Sequence, residues 1–499
     1  MASLREDDCA LQFAPAQAAK VPRRRAGLRA RRPVRLVALL LASSVALAGG
    51  CRQIHRALAA RPNILVISID TLRFDHLGAN GYAVSPSPTP WIDRLISQGV
   101  SFTHTASSAP ETSPALATLN TGVYQDRHGV MSNRASLVDD NHTLAERLKE
   151  AGYATAAFVG NALVDTAHGF GQGFDSFQVV TTDPTFATPV DDKLVALFGD
   201  FLRASPRPSP WFAWVHMMDP HGPYRSAAPW WSHDFDYSRA PVARDDTPPV
   251  SQSNFGLGVL PRYQKLDVEK RLSEYVRRYD GEIRFTDAQV GALLSMLSAM
   301  GVQDDTLVVL VADHGESLVE HDELLQHGWF LYETTVHVPL VMWWPGRISG
   351  GSAVASETCT VDIVPTILDL AGVSAEGGDF DGRSLWDESP ATGAVSPLPQ
   401  AVAELRDAGC FTIGPRANHV ISLRTSRHKL ILTPPSTPRD PLAPRGTVTT
   451  DPESIELYDL EKDPGEVRDL ATTETDVVER MQPHLTRLRA RLRAAGWRR

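Results

Sequence analysis

Three residues of this 499-residue chain, Asp70, Asp313 and His314, have the types and the placing to hold a metal ion. Asp70 closes the apolar run Asn63-Ile64-Leu65-Val66-Ile67-Ser68-Ile69, and Asp313 with His314 closes Leu307-Val308-Val309-Leu310-Val311-Ala312. Two carboxylates beside an imidazole form a hard, mixed oxygen and nitrogen donor set suited to one divalent metal ion, Ca²⁺, Mn²⁺, Mg²⁺ or Zn²⁺. A single aspartate after a strand is more often a turn or a helix cap. The chain has four cysteines and no CxxC pair or HExxH stretch, which excludes zinc sites of those kinds.

Elements of a particular kind must position these residues. Both runs are rich in β-branched residues and apolar throughout, as strands buried on both faces of a parallel sheet are. Trp211-Phe212-Ala213-Trp214-Val215-His216 has the same form. Between them lie helical patterns such as Thr143-Leu144-Ala145-Glu146-Arg147-Leu148-Lys149-Glu150-Ala151-Gly152, opened by a capping threonine and stopped by glycine. The alternation predicts an α/β fold with a mostly parallel central sheet flanked by helices. Ligands of such sheets bind outside the carboxyl ends of the strands, where Asp70, His216 and Asp313-His314 all fall.

From about Arg225 the pattern turns irregular. Trp230-Trp231 and Thr247-Pro248-Pro249-Val250 suggest a long insertion over that edge, expected to serve as a substrate lid. Another buried strand is expected within Val336 to Pro345, and a helix from Asp362 to Ala371. Proline- and glycine-rich sequence from Gly372 to Pro399 then separates a catalytic domain, residues 61–372, from a smaller C-terminal α+β subdomain, residues 400–499. The latter carries the strand-like pieces Val420-Ile421-Ser422-Leu423 and Lys429-Leu430-Ile431-Leu432 and a basic amphipathic helix from Thr475.

The first 50 residues differ in kind. Arg23, Arg24, Arg25, Arg29, Arg31, Arg32 and Arg35 precede an apolar run from Leu36 to Ala48, which ends at Gly49-Gly50-Cys51. A basic region, a short apolar stretch and small residues describe an export signal better than a membrane span, which needs ~20 apolar residues. Cys51 stands where a bacterial lipoprotein would be lipidated; plain cleavage and an uncleaved anchor are the alternatives. The protein is therefore expected to be exported, to the periplasm or cell envelope, with a lipoprotein anchor as one form.

Without residues 1–51 the chain loses nine Lys/Arg and three Asp/Glu, moving its formal charge from -10 to about -16. So acidic a protein is not expected to bind nucleic acid or an anionic membrane surface. Cys359 and Cys410 then remain, too few for a disulfide framework but enough for one bridge in an oxidising compartment.

Several further words stand in a fixed order along the chain. Arg61 to Arg73 contains Asp70 and Thr71, and Thr89-Pro90-Trp91-Ile92-Asp93-Arg94-Leu95 follows. Thr121-Gly122, Arg127-His128-Gly129, Asp219-Pro220-His221-Gly222-Pro223-Tyr224 and Asp313-His314-Gly315-Glu316 come next. His327-Gly328 with Leu331-Tyr332-Glu333, Asp362 with Pro365-Thr366, and Glu456 to Pro464 complete the set. In this order the words resemble those of the sulfatases, within the alkaline phosphatase superfamily, over about residues 61–471.

The resemblance implies a nucleophile beside the metal that attacks sulfur or phosphorus in line and forms a covalent intermediate opened by water. Thr112 takes that place and would join Asp70, Asp313 and His314 around the cation. His221 would act as leaving-group acid or oxyanion donor, and His327, near the place of a family lysine, would bind the same anion. His216 and His128 are candidates for supporting positions.

The chain also departs from the family. Sulfatases mature a Cys or Ser at the nucleophile position to formylglycine, followed by Pro two places on and Arg four places on; here Thr112-Ser113-Pro114-Ala115-Leu116 keeps only the proline. Threonine cannot be matured by that route. Thr71 replaces a second aspartate, and Ala157 to Asn161 lacks the lysine and histidine that typical members use to bind sulfate. Thr112 also fits a helix N-cap ahead of Ala115-Leu116-Ala117.

The leading expectation is a metal-dependent hydrolase of sulfate or phosphate esters in the cell envelope, its substrate a sulfated or phosphorylated small molecule, glycan or lipid. A threonine-nucleophile transferase of phospho-headgroups, similar to the superfamily's phosphoethanolamine and lipoteichoic-acid transferases, is the second. A non-catalytic metal- or anion-binding relative is the third.

Overall fold

The apolar run Asn63–Ile69 forms β1, and its alternate residues face opposite ways. Leu65, Ile67 and Ile69 join one core and Ile64 and Val66 another, so the strand is covered on both sides. The computed structural model describes residues 61–496 apart from 181–188, 205–209, 225–234, 240–260, 262–263, 265–271, 319, 322–323, 375–378, 389–394, 398–408, 415–419 and 435–452. The expected export signal, Cys51 and the Trp230-Trp231 and Thr247–Val250 pieces of the expected lid lie outside the described residues.

β1 is central in an eight-stranded sheet. The other strands are β2 (Val100–Phe102), β4 (Ala154–Val159), β5 (Ser176–Val179), β6 (Trp211–Met217), β7 (Thr306–Ala312), β8 (Leu340–Trp343) and β9 (Ser352–Val354). Their order is β5-β4-β6-β1-β7-β8-β2-β9. The pairings of β4 with β5 and β6, and of β1 with β6 and β7, are parallel. β8 alone runs against its neighbours β7 and β2. The sheet is thus mixed but mostly parallel, as the alternation of strand and helix predicts.

Helices cover both faces. Residues of α1 (Pro90–Gln98), α4 (Asp191–Ala204) and α5 (Leu272–Ala299) pack into the core that takes Leu65, Ile67 and Ile69. Residues of α2 (Thr112–Thr121), α3 (Leu144–Glu150) and α6 (Ile363–Leu370) fill the other. α3 starts where the sequence indicates: the Thr143 side chain accepts from Glu146 N and the Glu146 carboxylate from Thr143 N, a capping box.

Near the C-terminus β13 (Cys410–Ile413), β14 (Ile421–Arg424), β15 (His428–Thr433) and β16 (Ser454–Asp459) form an antiparallel sheet in chain order. α7 (Thr475–Ala494) lays Val477, Met481, Leu485, Leu488 and Leu492 against Ile421, Leu423, Leu430, Leu432 and Leu457. Small ladders join β3 (Thr105–Ala106) to β10 (Thr358–Cys359) and β11 (Trp386–Glu388) to β12 (Val395–Pro397). A disulfide links Cys359 to Cys410 and so ties the β10 segment to β13. Among the described residues no helix is long and apolar enough to cross a membrane.

Candidate active site

Because β1 lies between β6 and β7 in register, Ser68 stands beside His216 on one side and Val311 on the other. The next residues along all three strands leave the sheet at one edge, bringing Asp70 to Asp313 and His314. All three are buried, and one ligand atom from each lies within 4.8 Å of the others.

Hydrogen bonds commit some of their polar atoms and leave others free. His314 donates from Nδ1 to the Gly315 carbonyl at 2.9 Å, so Nε2 keeps its lone pair. Asp313 Oδ1 accepts from His314 N at 2.8 Å and Thr71 N at 3.3 Å, while Oδ2 has no hydrogen-bond partner among the described residues. Asp70 Oδ2 accepts from Asn161 Nδ2 at 3.1 Å, while Oδ1 has no hydrogen-bond partner among the described residues. These atoms converge: His314 Nε2 lies 3.8 Å from Asp70 Oδ1 and 3.6 Å from Asp313 Oδ2. Two unpaired buried carboxylate oxygens facing an imidazole lone pair would be costly unless a cation joined them, so this donor set fits a divalent metal ion.

The electrostatics agree. Burial, with the neighbouring Asp70 charge, pushes the Asp313 carboxyl well above the usual range. Burial also acts on Asp70, but the neighbouring imidazoles of His216, His221 and His314 outweigh it and hold that carboxyl low. His314 is pushed down to about 3 by burial and by His327.

Thr112 reaches the same place from the opening of α2. Its Oγ1 lies 3.3 Å from His314 Nε2 and 3.5 Å from Asp70 Oδ2. The capping position belongs to Glu111, whose carbonyl accepts from Ala115 N, so Thr112 is the first helical residue and its hydroxyl faces the carboxylates instead of capping the helix. The backbone N–H of the neighbouring Ser113 donates to Asn133 Oδ1 at 2.8 Å. The segment leading to Thr112 is held from three directions. Ser107 Oγ donates to the Asp313 carbonyl, Ser108 N to Thr360 Oγ1, and Ile413 N of β13 to the Ser108 carbonyl.

His221 and His327 complete the cluster. The His327 ring centre lies 4.4 Å from that of His314 and 5.2 Å from that of His221. His221 Nδ1 donates to the Gly222 carbonyl at 2.7 Å. His327 Nδ1 meets Glu316 Oε1 at 2.9 Å, and Tyr224 OH donates to Glu316 Oε2. Burial lifts the Glu316 carboxyl to about 7 and lowers His327.

Of the supporting candidates, His216 lies at the site, with Nε2 3.7 Å from Asp70 Oδ2. His128 does not: its bonds go to Thr118 Oγ1 and Val130 N beneath α2. Asp219, two residues before His221, accepts from Val190 N and Asp191 N at the start of α4. Sequence reasoning missed Asn161 and the Glu316 to His327 contact. Asn161 follows β4 at the same sheet edge as Asp70, a signal of the kind that singled out the aspartates.

The sulfatase family model matches residues 62–373. The choline-sulfatase of Rhizobium meliloti (strain 1021) is 26% identical over 493 residues, covering 88% of this chain and 87% of that protein. An N-acetylglucosamine-6-O-sulfatase of Bacteroides thetaiotaomicron is 25% identical, covering 70% and 73%. The crystal structure of the phosphonate monoester hydrolase of Agrobacterium radiobacter superposes with a TM-score of 0.62 at 23% identity, covering 87% of this chain and 96% of that one. A structure solved with its substrate D-glucosamine-2-N,6-O-disulfate gives a TM-score of 0.68 at 20% identity, covering 87% and 98%.

Proposed function

This chain belongs to the sulfatase family, a family of sulfuric ester hydrolases, and from that premise we propose that it cleaves a sulfate or phosphate ester with an unmodified threonine nucleophile. The observation that carries the reading is the convergence of Thr112 Oγ1 with the free atoms of Asp70, Asp313 and His314. Those four residues would hold one divalent cation, which when bound supplies charge neutralisation and lowers the pKa of a coordinated hydroxyl.

The remaining steps belong to the chain itself. Thr112 Oγ1 passes its proton to Asp70 Oδ2, toward which it donates, and attacks sulfur or phosphorus as the bond to the leaving oxygen breaks. His221, oriented by its bond to Gly222, gives a proton from Nε2 to that oxygen. His327, fixed by Glu316, orients the non-bridging oxygens. Water then opens the threonine ester, with His221 taking a proton from it and the released Thr112 oxygen regaining its proton from Asp70.

The substrate we favour is a sulfated small molecule or glycan, the kind named for the relatives. Export to the cell envelope is part of the proposal, supported by the signal-like first 50 residues and by the Cys359 to Cys410 bridge. Purified protein should be assayed against choline sulfate, aryl sulfates, phosphate diesters and phosphonate monoesters after chelation and then with Ca²⁺, Mn²⁺, Mg²⁺ or Zn²⁺. Metal-stimulated turnover of at least one is expected; none with any metal overturns the reading.

A transferase reading is favoured by one observation, the threonine at the nucleophile position with Leu116 in place of the family arginine. Trapping phosphothreonine at residue 112 from a labelled phospho-headgroup donor, followed by its passage to an alcohol acceptor, would select it. Turnover confined to sulfate esters would exclude it.

A further inference from the structure

Asp70 has two carboxylate oxygens, and its neighbours treat them differently. Oδ2 accepts from Asn161 and faces His216, while Oδ1 has no hydrogen-bond partner among the described residues. The Asn161 amide has a defined orientation, because its Oδ1 accepts from Leu163 N at 2.9 Å and the amide NH₂ is thereby turned to Asp70.

His216 is oriented by a second chain of contacts. Trp214 Nε1 can only donate, and it donates to Ser68 Oγ at 2.9 Å. Ser68 Oγ in turn lies 2.9 Å from His216 Nδ1. With Trp214 occupying one lone pair, the Ser68 hydroxyl proton is free to point at Nδ1. That arrangement would place the imidazole proton on Nε2, 3.7 Å from Asp70 Oδ2 and beyond hydrogen-bond distance of it; the other tautomer would set a nitrogen lone pair against a buried carboxylate. The sheet supplies the alignment. Ser68 and His216 are register partners in β1 and β6, and Trp214, two residues before His216, shares its face.

We propose that Trp214, Ser68 and His216, together with Asn161, position Asp70 so that Oδ1 is the oxygen offered to the metal ion, and that His216 is a positioning residue and not a ligand. The proposal rests on the reading that Asp70, Asp313 and His314 hold a cation. It assigns a use to Asn161 at the point where the chain lacks the family's sulfate-binding side chains. Partners of this kind set the orientation and basicity of a ligand, and their loss costs about 10- to 100-fold in metal affinity.

The test is calorimetric titration of the metal-free protein with Mn²⁺ and, separately, Ca²⁺, for wild type, Ser68→Ala and Asn161→Ala. Each variant should bind about 10- to 100-fold more weakly while its metal-free melting temperature stays within a few degrees of wild type. In ¹⁵N-histidine-labelled wild-type protein, the His216 signal, assigned by its loss in His216→Gln, should show a protonated Nε2 and a bare Nδ1. Ser68→Ala should lose that fixed tautomer. Wild-type affinity in both variants, or a protonated Nδ1 in the wild type, overturns the proposal even with the metal bound. Failure of the wild type to bind either ion overturns the underlying metal reading instead, and the proposal falls with it.

Discussion

Thr112 Oγ1 lies 3.3 Å from His314 Nε2, although 202 positions separate the two residues in the chain. If that hydroxyl is the nucleophile, Thr112→Ala should lower kcat by on the order of 10³-fold or more. Thr112→Ser should keep activity within about tenfold, since the oxygen remains. Intact mass and peptide mapping of the active protein should find residue 112 as unmodified threonine. Turnover by Thr112→Ala near that of wild type would remove the residue from the chemistry.

His221 is predicted to matter in proportion to the difficulty of the leaving group. His221→Ala should cost about 10²- to 10⁴-fold with alkyl esters, whose alkoxide needs a proton, and much less with nitrophenyl esters. Equal losses across a series of leaving groups would argue for anion binding in place of proton transfer. Steady-state kinetics over such a series makes the comparison.

The Cys359 to Cys410 bridge closes a loop with a sequence separation of 51. Chain-entropy reasoning gives it about 4 kcal/mol of stability. Protein with both cysteines replaced by alanine should unfold at correspondingly lower denaturant concentration. Activity should also fall, because β10 and β13 both support the segment leading to Thr112. An unchanged unfolding midpoint would show that the bridge is energetically idle.

Glu333 is buried between Arg424 and Lys429, at 2.9 and 3.0 Å. Burial alone would raise its pKa, but the two cations outweigh it and hold the carboxyl well below its ordinary value near 4.5. The folded state therefore binds this proton more weakly than the unfolded chain. The stabilisation is complete above about pH 4.5 and is lost as pH falls toward the folded value. Glu333→Gln should destabilise by about 3 kcal/mol at pH 7, with the gap to wild type narrowing at pH 3. Denaturant titrations at the two pH values check this, and a gap independent of pH would contradict it.

Those features were legible in the sequence that depend on local pattern. The runs ending in Asp70, His216 and Asp313 announced buried strands, the capping Thr143 announced a helix start, and the amphipathic pattern from Thr475 announced α7. What could not be read was pairing over long separations. Nothing local in Leu340–Trp343 distinguishes an antiparallel strand from a parallel one, and β2 takes its place in the sheet only through β8 and β9. The aspartates stood out because carboxylates are conspicuous after apolar strands. Asn161 did not, since an amide there is equally at home in a turn, and its value lies in one bond to Asp70.

The separation of Asp70 from Asp313 has a consequence for biosynthesis. One half of the ligand set leaves the ribosome 243 residues before the other, and β1 cannot gain its β7 neighbour until that second stretch has been made. No partial chain ending before residue 313 owns a complete cage. An ion held by this set would therefore be acquired only once residue 314 has been made, and the supply of free metal where folding finishes would have as much say as the donor atoms in deciding which ion is bound.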